Sequence, residues 1–177
     1  IACLKRFNRQ NIQLPITINV SLNDFAKNNF ADLLESKMLE ARLSNNLLGI
    51  ECLETERIIE NAQALSGLQR LYEKGFNISL DDFGTGYSNI SYLRRMPLDI
   101  IKLDRSLISG VLEDTSSLII ARSIIRMLKE LDYTVLAEGV EDAEVAILLR
   151  DFGCDQAQGY FFSKPLSDPE LDIWLQR

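Results

Sequence analysis

The chain of 177 residues contains no histidine, and this absence narrows the chemistry available to it. Its three cysteines, Cys3, Cys52 and Cys154, are odd in number and widely spaced. That pattern argues against a disulfide scaffold and against a cysteine–histidine zinc site, and we expect all three thiols to be small buried side chains. Acid–base or metal chemistry must then use carboxylates, amides and lysine, which suit hard cations such as Mg²⁺, Mn²⁺ or Ca²⁺.

Long hydrophobic runs and an excess of basic charge are also missing. The longest apolar stretches are a handful of residues, such as 118–121, so no membrane segment is predicted in this chain. The formal net charge is −7, which argues against a general nucleic-acid binder because such a surface repels polyanions. No basic and then apolar leader opens the chain, and it starts at Ile1, so we expect a fragment of a longer protein.

What is present is an alternation of short apolar runs with longer amphipathic ones. Strands are predicted at 16–20, 47–53, 77–80, 100–103, 134–137 and 154–158. Helices are predicted at 30–43, 57–74, 89–95, 116–131, 143–152 and 168–176. Six strand–helix units in a row indicate a parallel α/β sheet with right-handed crossovers. With no GxGxxG or phosphate-loop motif, the choice is between an open doubly wound sheet and a (β/α)8 barrel.

Each apolar strand run ends in a polar residue that could bind a ligand or act in catalysis. In a barrel these strand ends converge on one rim. Several carboxylates at that rim would repel one another without cations to balance them, so the pattern points to metal. Adjacent aspartates could hold two ions, and a lysine could stabilise negative charge developing on a phosphate. The residues are Asn19, Glu51, Asp81, Asp82, Lys102, Glu138 and Gln158.

Taken singly, each of these residues can be explained without a functional role. A lone asparagine, glutamate or glutamine at a strand end is usually a helix cap or a solvated side chain, and a lone lysine is more often a surface residue. The joint pattern over six consecutive strands is much harder to obtain by chance. The glycine-containing run 83–88 after the paired aspartates is typical of a mobile active-site loop.

Several motifs resemble those of EAL-domain cyclic-di-GMP phosphodiesterases, in order and over essentially the whole chain. NVS at 19–21 resembles the family's NxS, and ECLE at 51–54 resembles its ExTE. The more specific matches are DDFGTGYS at 81–88, KLDRS at 102–106, AEGVE at 137–141, and QGY at 158–160 with KPL at 164–166.

The resemblance implies a (β/α)8 barrel that opens cyclic-di-GMP to linear pGpG with two Mg²⁺ or Mn²⁺ ions, and with Ca²⁺ as a candidate inhibitor. It assigns Asn19, Glu51 and Asp81 to one metal, and Asp81 and Asp82 to the second. The residues that it implies for the attacking water are Lys102 and Glu138, supported by Gln158. It further implies that Glu54 steadies the loop through Ser88, and that loop and substrate residues include Asp104, Glu141 and Tyr160.

There are two departures from the family pattern. Leu53 stands where the ExTE motif has threonine, and the Glu-Ala-Leu signature does not occur in these residues. In the family that signature lies on an upstream segment that also carries two strands and a metal-binding glutamate. We therefore expect one EAL domain over 1–177 without its N-terminal part, with about six of the eight β/α units of the barrel.

The resemblance also implies partners and leaves alternatives open. A GGDEF or sensor domain in the parent chain, a homodimer and a cytoplasmic location are expected, although other domains could anchor the parent to a membrane. The first alternative is a receptor of the same fold that binds cyclic-di-GMP without cleaving it, and the second is an inactive fragment. A different metal-dependent barrel hydrolase fits the fold, but the DDFGTGYS and KLDRS matches disfavour it.

Overall fold

The computed structural model describes residues 1–53, 58–85 and 90–175, with the backbone alone at 90 and 91. The chain divides into two compact units, Ile1–Lys102 and Leu103–Arg177, and the boundary falls inside one strand. In the described part of the chain, no helix is long and apolar enough to span a membrane.

Unit 1, Ile1–Lys102, alternates helices with parallel strands. Its helices are α1 (Ala2–Arg9), α2 (Leu22–Phe25), α3 (Phe30–Glu40) and α4 (Ala62–Glu73). Its strands are β1 (Ile16–Asn19), β2 (Leu48–Leu53), β3 (Asn77–Phe83) and β4 (Ile100–Leu103), and the last residue of β4 belongs to unit 2. Short 3-10 helices lie at Asn45–Leu47, Ile58–Glu60 and Ile90–Arg95.

The strands of unit 1 follow one another across the sheet in sequence order, β1-β2-β3-β4. Strand β2 is buried along nearly its whole length, which explains why its sequence LGIECL is an almost continuous apolar run. Strand β1 pairs with β2 in parallel and is largely exposed. Helix α4 packs against α2 so closely that a Cβ on Gly67 would lie 1.9 Å from the carbonyl oxygen of Phe25. A glycine is needed at this contact.

Unit 2, Leu103–Arg177, continues the same alternation. Its helices are α5 (Arg105–Ile108), α6 (Thr115–Glu130), α7 (Ala143–Asp151) and α8 (Asp168–Trp174), and its strands are β5 (Thr134–Ala137) and β6 (Gln156–Ala157). β5 and β6 pair in parallel. Helix α6 buries Ala121, Ile125 and Leu128 on one face, at the spacing of an amphipathic helix.

The predicted strands all occur, and the bounds of β4 and β5 agree with the prediction. The predicted helix at 57–74 instead begins at Ala62, because the side chain of Asn61 caps the N–H groups of Gln63 and Ala64 there. Among the described residues, three α-helices were not predicted: α1, and the four-residue α2 and α5. The two short ones follow capping residues, Ser21 and Asp104, and are too brief to show a helical period.

The prediction for the cysteines is correct at one position of three. Cys52 is fully buried in β2, and its thiol donates to the carbonyl of Ser79. For Cys3 and Cys154 the prediction is wrong, because both are partly exposed. Their apolar neighbours in sequence do not bury them, since Cys3 lies on a short surface helix and Cys154 precedes a two-residue strand.

Two strands, β4 and β6, are each preceded by an aspartate that fixes the register of the strand. Before β4, the N–H of Asp99 donates to the carbonyl of Ile78 (2.9 Å) and its carboxylate accepts the N–H of Ile78 (2.8 Å). Before β6, Asp155 makes the same two bonds with Val135, at 3.0 and 2.7 Å. Each aspartate therefore binds both the N–H and the carbonyl of one residue in the preceding strand.

Lys129 also binds Asp155, with its ammonium 2.8 and 2.7 Å from the two carboxylate oxygens. Burial raises the pKa of Asp155, but the hydrogen bonds from Lys129 and from the N–H of Val135 outweigh it, so the net pKa is lowered. A carboxylate whose pKa is lowered by folding stabilises the fold above its unfolded pKa, and this stabilisation is lost as the pH falls through the folded pKa.

Asp155→Asn should therefore lower the free energy of unfolding by about 1–2 kcal/mol at pH 7, the range for a partly exposed charged hydrogen bond. The difference between variant and wild type should begin to shrink as the pH falls below about 4, where Asp155 becomes neutral in the unfolded state, and should be lost as the pH falls through the lower folded pKa. Urea unfolding at several pH values measures this. Glu130→Gln, which breaks an exposed ion pair with Arg126 on α6, is the control and should change little. A deficit that stays constant down to pH 2 would contradict the assignment.

Candidate active site

A buried lysine lies between two carboxylates at the carboxyl ends of the strands in unit 1. The ammonium of Lys102 is 2.8 Å from Oδ1 of Asp81 and 3.2 Å from Oε1 of Glu51. Only 7% of the Lys102 side chain is exposed, against 11% for Glu51 and 14% for Asp81. Charges this deeply buried are tolerated only when they are paired and hydrogen-bonded. The three residues therefore form one mutually dependent set.

The strand register explains how these side chains meet. Glu51 in β2 is level with Ser79 in β3, and Asp81 lies two residues beyond Ser79. Because side chains alternate between the faces of a strand, Glu51, Ser79 and Asp81 point to the same face. Lys102 is the third residue of β4, the neighbouring strand, and reaches both carboxylates. Asp99, at the start of β4, sets the register that places Lys102 there.

Asp82 breaks the alternation of β3. Its φ is +56°, in the left-handed region that non-glycine residues rarely adopt. A regular strand would send the carboxylates of Asp81 and Asp82 to opposite faces, yet an oxygen of one lies within 4.8 Å of an oxygen of the other. The turn is fixed by Thr85, whose N–H and hydroxyl both donate to the carbonyl of Asp82, at 3.2 and 2.9 Å. The unusual backbone thus brings both carboxylates to one side.

Asn19 is the last residue of β1 and pairs in register with Glu51 of β2. The two side chains therefore leave the sheet on the same face. Asn19 is exposed, whereas Glu51 is buried. The next residue, Val20, donates its N–H to the carbonyl of Glu51 at 2.9 Å and extends the strand pairing past the site. Four of the predicted polar positions, together with Lys102, are thus gathered in unit 1.

The atoms of this set that could bind a metal ion are all carboxylate oxygens. The remaining charged group is the ammonium of Lys102, which cannot bind a metal while it is protonated. Three carboxylates (Glu51, Asp81 and Asp82) are set against one lysine, so the formal charge of the group is negative. An excess of carboxylate at a partly buried place is relieved by a cation, and oxygen donors suit Mg²⁺, Mn²⁺ or Ca²⁺. The residues present therefore fit a divalent cation, with the amide of Asn19 as a further oxygen donor.

In unit 2, the predicted residues Glu138 and Gln158 directly follow β5 and β6. The N–H of Glu138 donates to the carbonyl of Leu103 at 3.0 Å, and the N–H of Gln158 donates to that of Ala137 at 2.8 Å. Both backbones therefore continue the strand pairing beyond the assigned strands. Glu138 is partly buried and Gln158 is exposed.

The three predicted loop and substrate residues of unit 2 have structural contacts of their own. Asp104 caps α5, and its carboxylate accepts the N–H of Ser106 at 2.9 Å. Hydrogen bonds from Ser106, foremost that of its side chain, outweigh burial and lower the pKa of Asp104. Glu141 pairs with Arg105 at 2.9 Å. Tyr160 is exposed, and the Lys164 ammonium lies 5.7 Å from the centre of its ring.

Two predicted residues, Glu54 and Ser88, lie outside the described residues, so the loop tether expected between them stays a prediction. Leu53, which stands where the family motif has threonine, is the last residue of β2 and pairs in register with Asp81. It is only partly buried. The departure therefore falls beside a candidate metal ligand.

Two residues that matter for the geometry were given no role from the sequence. Asp99 precedes β4 and reads as an ordinary turn residue after Pro97 and Leu98. Arg105 is part of the KLDRS match, but an arginine opening a short helix carries no signal of a partner 36 positions away in sequence. The only sequence signal for Arg105 was its place in the KLDRS match, and the sequence contained no signal for the role of Asp99.

Comparison with known proteins decides the family. The family model described as "EAL domain" matches residues 1–165. The chain belongs to the EAL domain family. It is 36% identical over 179 residues to cyclic di-GMP phosphodiesterase PA2567 of Pseudomonas aeruginosa, an alignment that covers 100% of this chain and 30% of that protein. The chain thus spans about a third of the length of this relative, and the family predicted from the motifs is confirmed.

Solved structures of EAL proteins have the same fold. The EAL domain of Mycobacterium smegmatis DcpA matches with a TM-score of 0.89 and 29% identity, over 98% of this chain and 78% of that one. The calcium/cy-diGMP complex of Klebsiella pneumoniae BlrP1 matches with a TM-score of 0.81 and 32% identity, over 93% of this chain and 41% of that one. With six parallel strands among the described residues, the predicted incomplete (β/α)8 barrel is confirmed.

Lys102→Met tests the dependence of the buried set on its one positive charge. Methionine keeps much of the volume but leaves Glu51 and Asp81 buried without a counter-charge, so the free energy of unfolding should fall by about 3–5 kcal/mol in the absence of divalent cations. Urea unfolding in the presence of a chelator measures this.

The matched control is Lys27→Met, which removes a lysine paired with Asp24 at an exposed position. It should cost at most about 1 kcal/mol. Equal losses for the two variants would show that Lys102 does not balance buried charge.

Proposed function

We propose that this chain is the greater part of a phosphodiesterase domain that hydrolyses cyclic-di-GMP to linear pGpG. The observation that carries the proposal is the placement of the Lys102 ammonium between Glu51 and Asp81, with the second carboxylate of Asp82 turned to the same side. Phosphodiester hydrolysis needs positive charge where negative charge develops and a place for cations. The motif matches and the relative named a cyclic di-GMP phosphodiesterase support this substrate.

The proposed cofactors are two divalent cations, Mg²⁺ or Mn²⁺. Asn19, Glu51, Asp81 and Asp82 would hold them, with Asp81 shared between the two. When bound, such cations supply Lewis-acid activation of the phosphodiester and of water. The BlrP1 complex contains calcium together with cy-diGMP, which supports divalent cation binding in this family. We propose Ca²⁺ as an inhibitory ion, since its larger and more flexible coordination differs from that of Mg²⁺.

The chain's own residues are proposed to move the proton of the attacking water and to balance the charge on the phosphate. A water oxygen attacks phosphorus, the P–O bond to one ribose oxygen of the ring breaks, and that ribose oxygen takes up a proton from solvent, which balances the proton lost by the attacking water. Glu138 is proposed to accept the proton of the attacking water, and Gln158 to orient that water. Lys102 is proposed to hold the water and to stabilise the charge that grows on the phosphate oxygens. Deep burial of the Lys102 side chain strengthens that electrostatic effect.

The setting of the domain is part of the proposal. The relative PA2567 is more than three times as long as this chain, which leaves room for further domains. We propose that a GGDEF or sensor domain accompanies this one in a cytoplasmic signalling protein, and that the protein forms a homodimer. Tandem domains of this kind would allow a signal to control hydrolysis.

Asp81→Asn in the full-length protein is the decisive variant. Asparagine keeps the size of the side chain but removes the charge that pairs with Lys102 and that would be shared by both cations. Hydrolysis of cyclic-di-GMP with Mg²⁺ should fall by more than about 100-fold, beyond the loss typical of residues that only support a metal ligand. Chromatographic detection of linear pGpG measures this.

Asp32→Asn is the matched control, because Asp32 forms an exposed ion pair with Lys74. Its turnover should equal that of wild type. Near-wild-type turnover of Asp81→Asn would refute the proposed metal site. A wild-type protein that binds cyclic-di-GMP in calorimetry but releases no pGpG would be a receptor instead.

A further inference from the structure

Arg105 of the KLDRS motif has no part in the reaction proposed above, and its partner Glu141 was expected only among the loop and substrate residues. Their side chains form an ion pair in unit 2, with Nη1 of Arg105 2.9 Å from Oε1 of Glu141. The exposed fractions are 61% and 44%, and pairs this exposed contribute little to stability. The pair therefore calls for an explanation other than stability.

The stem of Arg105 lies on the backbone of Gly139. A Cβ built on Gly139 would be 2.7–2.9 Å from the Cβ, Cγ and Cδ atoms of Arg105, closer than side chains approach one another. Gly139 also has a φ of +68°, which glycine adopts without strain. Arg105 thus contacts the segment 138–141 twice, through its stem at Gly139 and through its guanidinium at Glu141.

The same segment is also contacted by the residues that follow β6. A Cβ on Gly159 would lie 2.1–2.7 Å from backbone atoms of Val140, so the two backbones touch. The N–H of Val140 donates to the carbonyl of Gln158 at 3.0 Å, and the N–H of Phe161 donates to the carbonyl of Val140 at 3.1 Å. The segment 138–141 is therefore contacted both by Arg105 and by the chain at 158–161.

We propose that the Arg105–Glu141 pair is a positioning device that fixes the segment 138–141 and, through Val140, the chain at Gln158. The two residues that this device holds, Glu138 and Gln158, are the ones proposed to act on the attacking water. The inference rests on the proposed function. In this role Arg105 and Glu141 do not contact the substrate, and Gly139 and Gly159 provide the close approaches on which the device depends.

A cap at the start of α5 completes the geometry. Asp104 accepts the N–H of Ser106, and this bond fixes the first turn of the helix from which Arg105 projects. Leu103, the residue before Asp104, accepts the N–H of Glu138. The segment that carries Arg105 is thus joined to Glu138 directly as well as through the ion pair.

The test uses the full-length protein with the variants Arg105→Ala, Arg105→Lys, Glu141→Gln and the double variant Arg105→Ala/Glu141→Gln. The control is Arg126→Ala, which breaks a more exposed arginine–glutamate pair on α6. Hydrogen–deuterium exchange of the amides of residues 138–141 and 158–161 reports on the segment without any need for activity. Steady-state hydrolysis of cyclic-di-GMP reports on the reaction.

The alanine variant and the glutamine variant should each speed exchange in residues 138–141 by about tenfold, and the control should not. Their kcat should fall by about 10- to 100-fold, the usual loss for residues that orient others, with KM within about twofold and an unchanged melting temperature. Arg105→Lys should recover part of kcat, since it keeps the charge and most of the stem. The double variant should lose no more than either single variant.

Unchanged exchange in residues 138–141 would overturn the inference. A raised KM with normal kcat would also overturn it, because that result indicates direct contact with the substrate. If the wild type is active and the variants show faster exchange but a normal kcat, the positioning role is overturned. A wild-type protein that does not hydrolyse cyclic-di-GMP would refute the proposed function instead, and the exchange result alone would then decide whether the pair fixes the segment.

Discussion

The ammonium of Lys102, buried between the carboxylates of Glu51 and Asp81, is the interaction on which the site in unit 1 depends. Each partner is almost fully removed from water, so loss of one would leave the others as uncompensated buried charges. The arrangement has two uses in an enzyme of this family. In the proposed reaction it would hold two candidate cation-binding oxygens in place before a cation binds, and it would keep a positive charge where the phosphate is proposed to lie.

Much of the fold could be predicted from the sequence, because the strand residues of an α/β barrel are apolar and the polar residues after them stand out. Lys102, Glu51 and Asp81 were selected in this way, and the structure brings them together. The left-handed backbone at Asp82 could not be predicted, since a pair of aspartates has the same sequence in a regular strand. The roles of Asp99 and Arg105 were also missed, because both depend on partners distant in sequence.

The positive φ of Asp82 shows how local strain and chemistry are connected. A left-handed non-glycine residue costs about 1–2 kcal/mol, and at Asp82 the carbonyl bonds from Thr85 hold it in place. In return, two consecutive carboxylates lie on one side of the strand, which a regular strand does not allow. In unit 2, Gly139 also has a positive φ, which glycine adopts without strain. Because Gly139 has no side chain, the stem of Arg105 can lie against its backbone.

The aspartates that immediately precede β4 and β6 keep the alignment of the strands separate from the proposed chemistry. Asp99 and Asp155 fix the register at the amino ends of their strands, through two backbone bonds each. The residues proposed for chemistry lie at the opposite ends and need not supply that register. Substitutions at the carboxyl ends can thus change what is bound or cleaved while the strands stay aligned, which would let evolution turn such an enzyme into a binding protein without rebuilding the sheet.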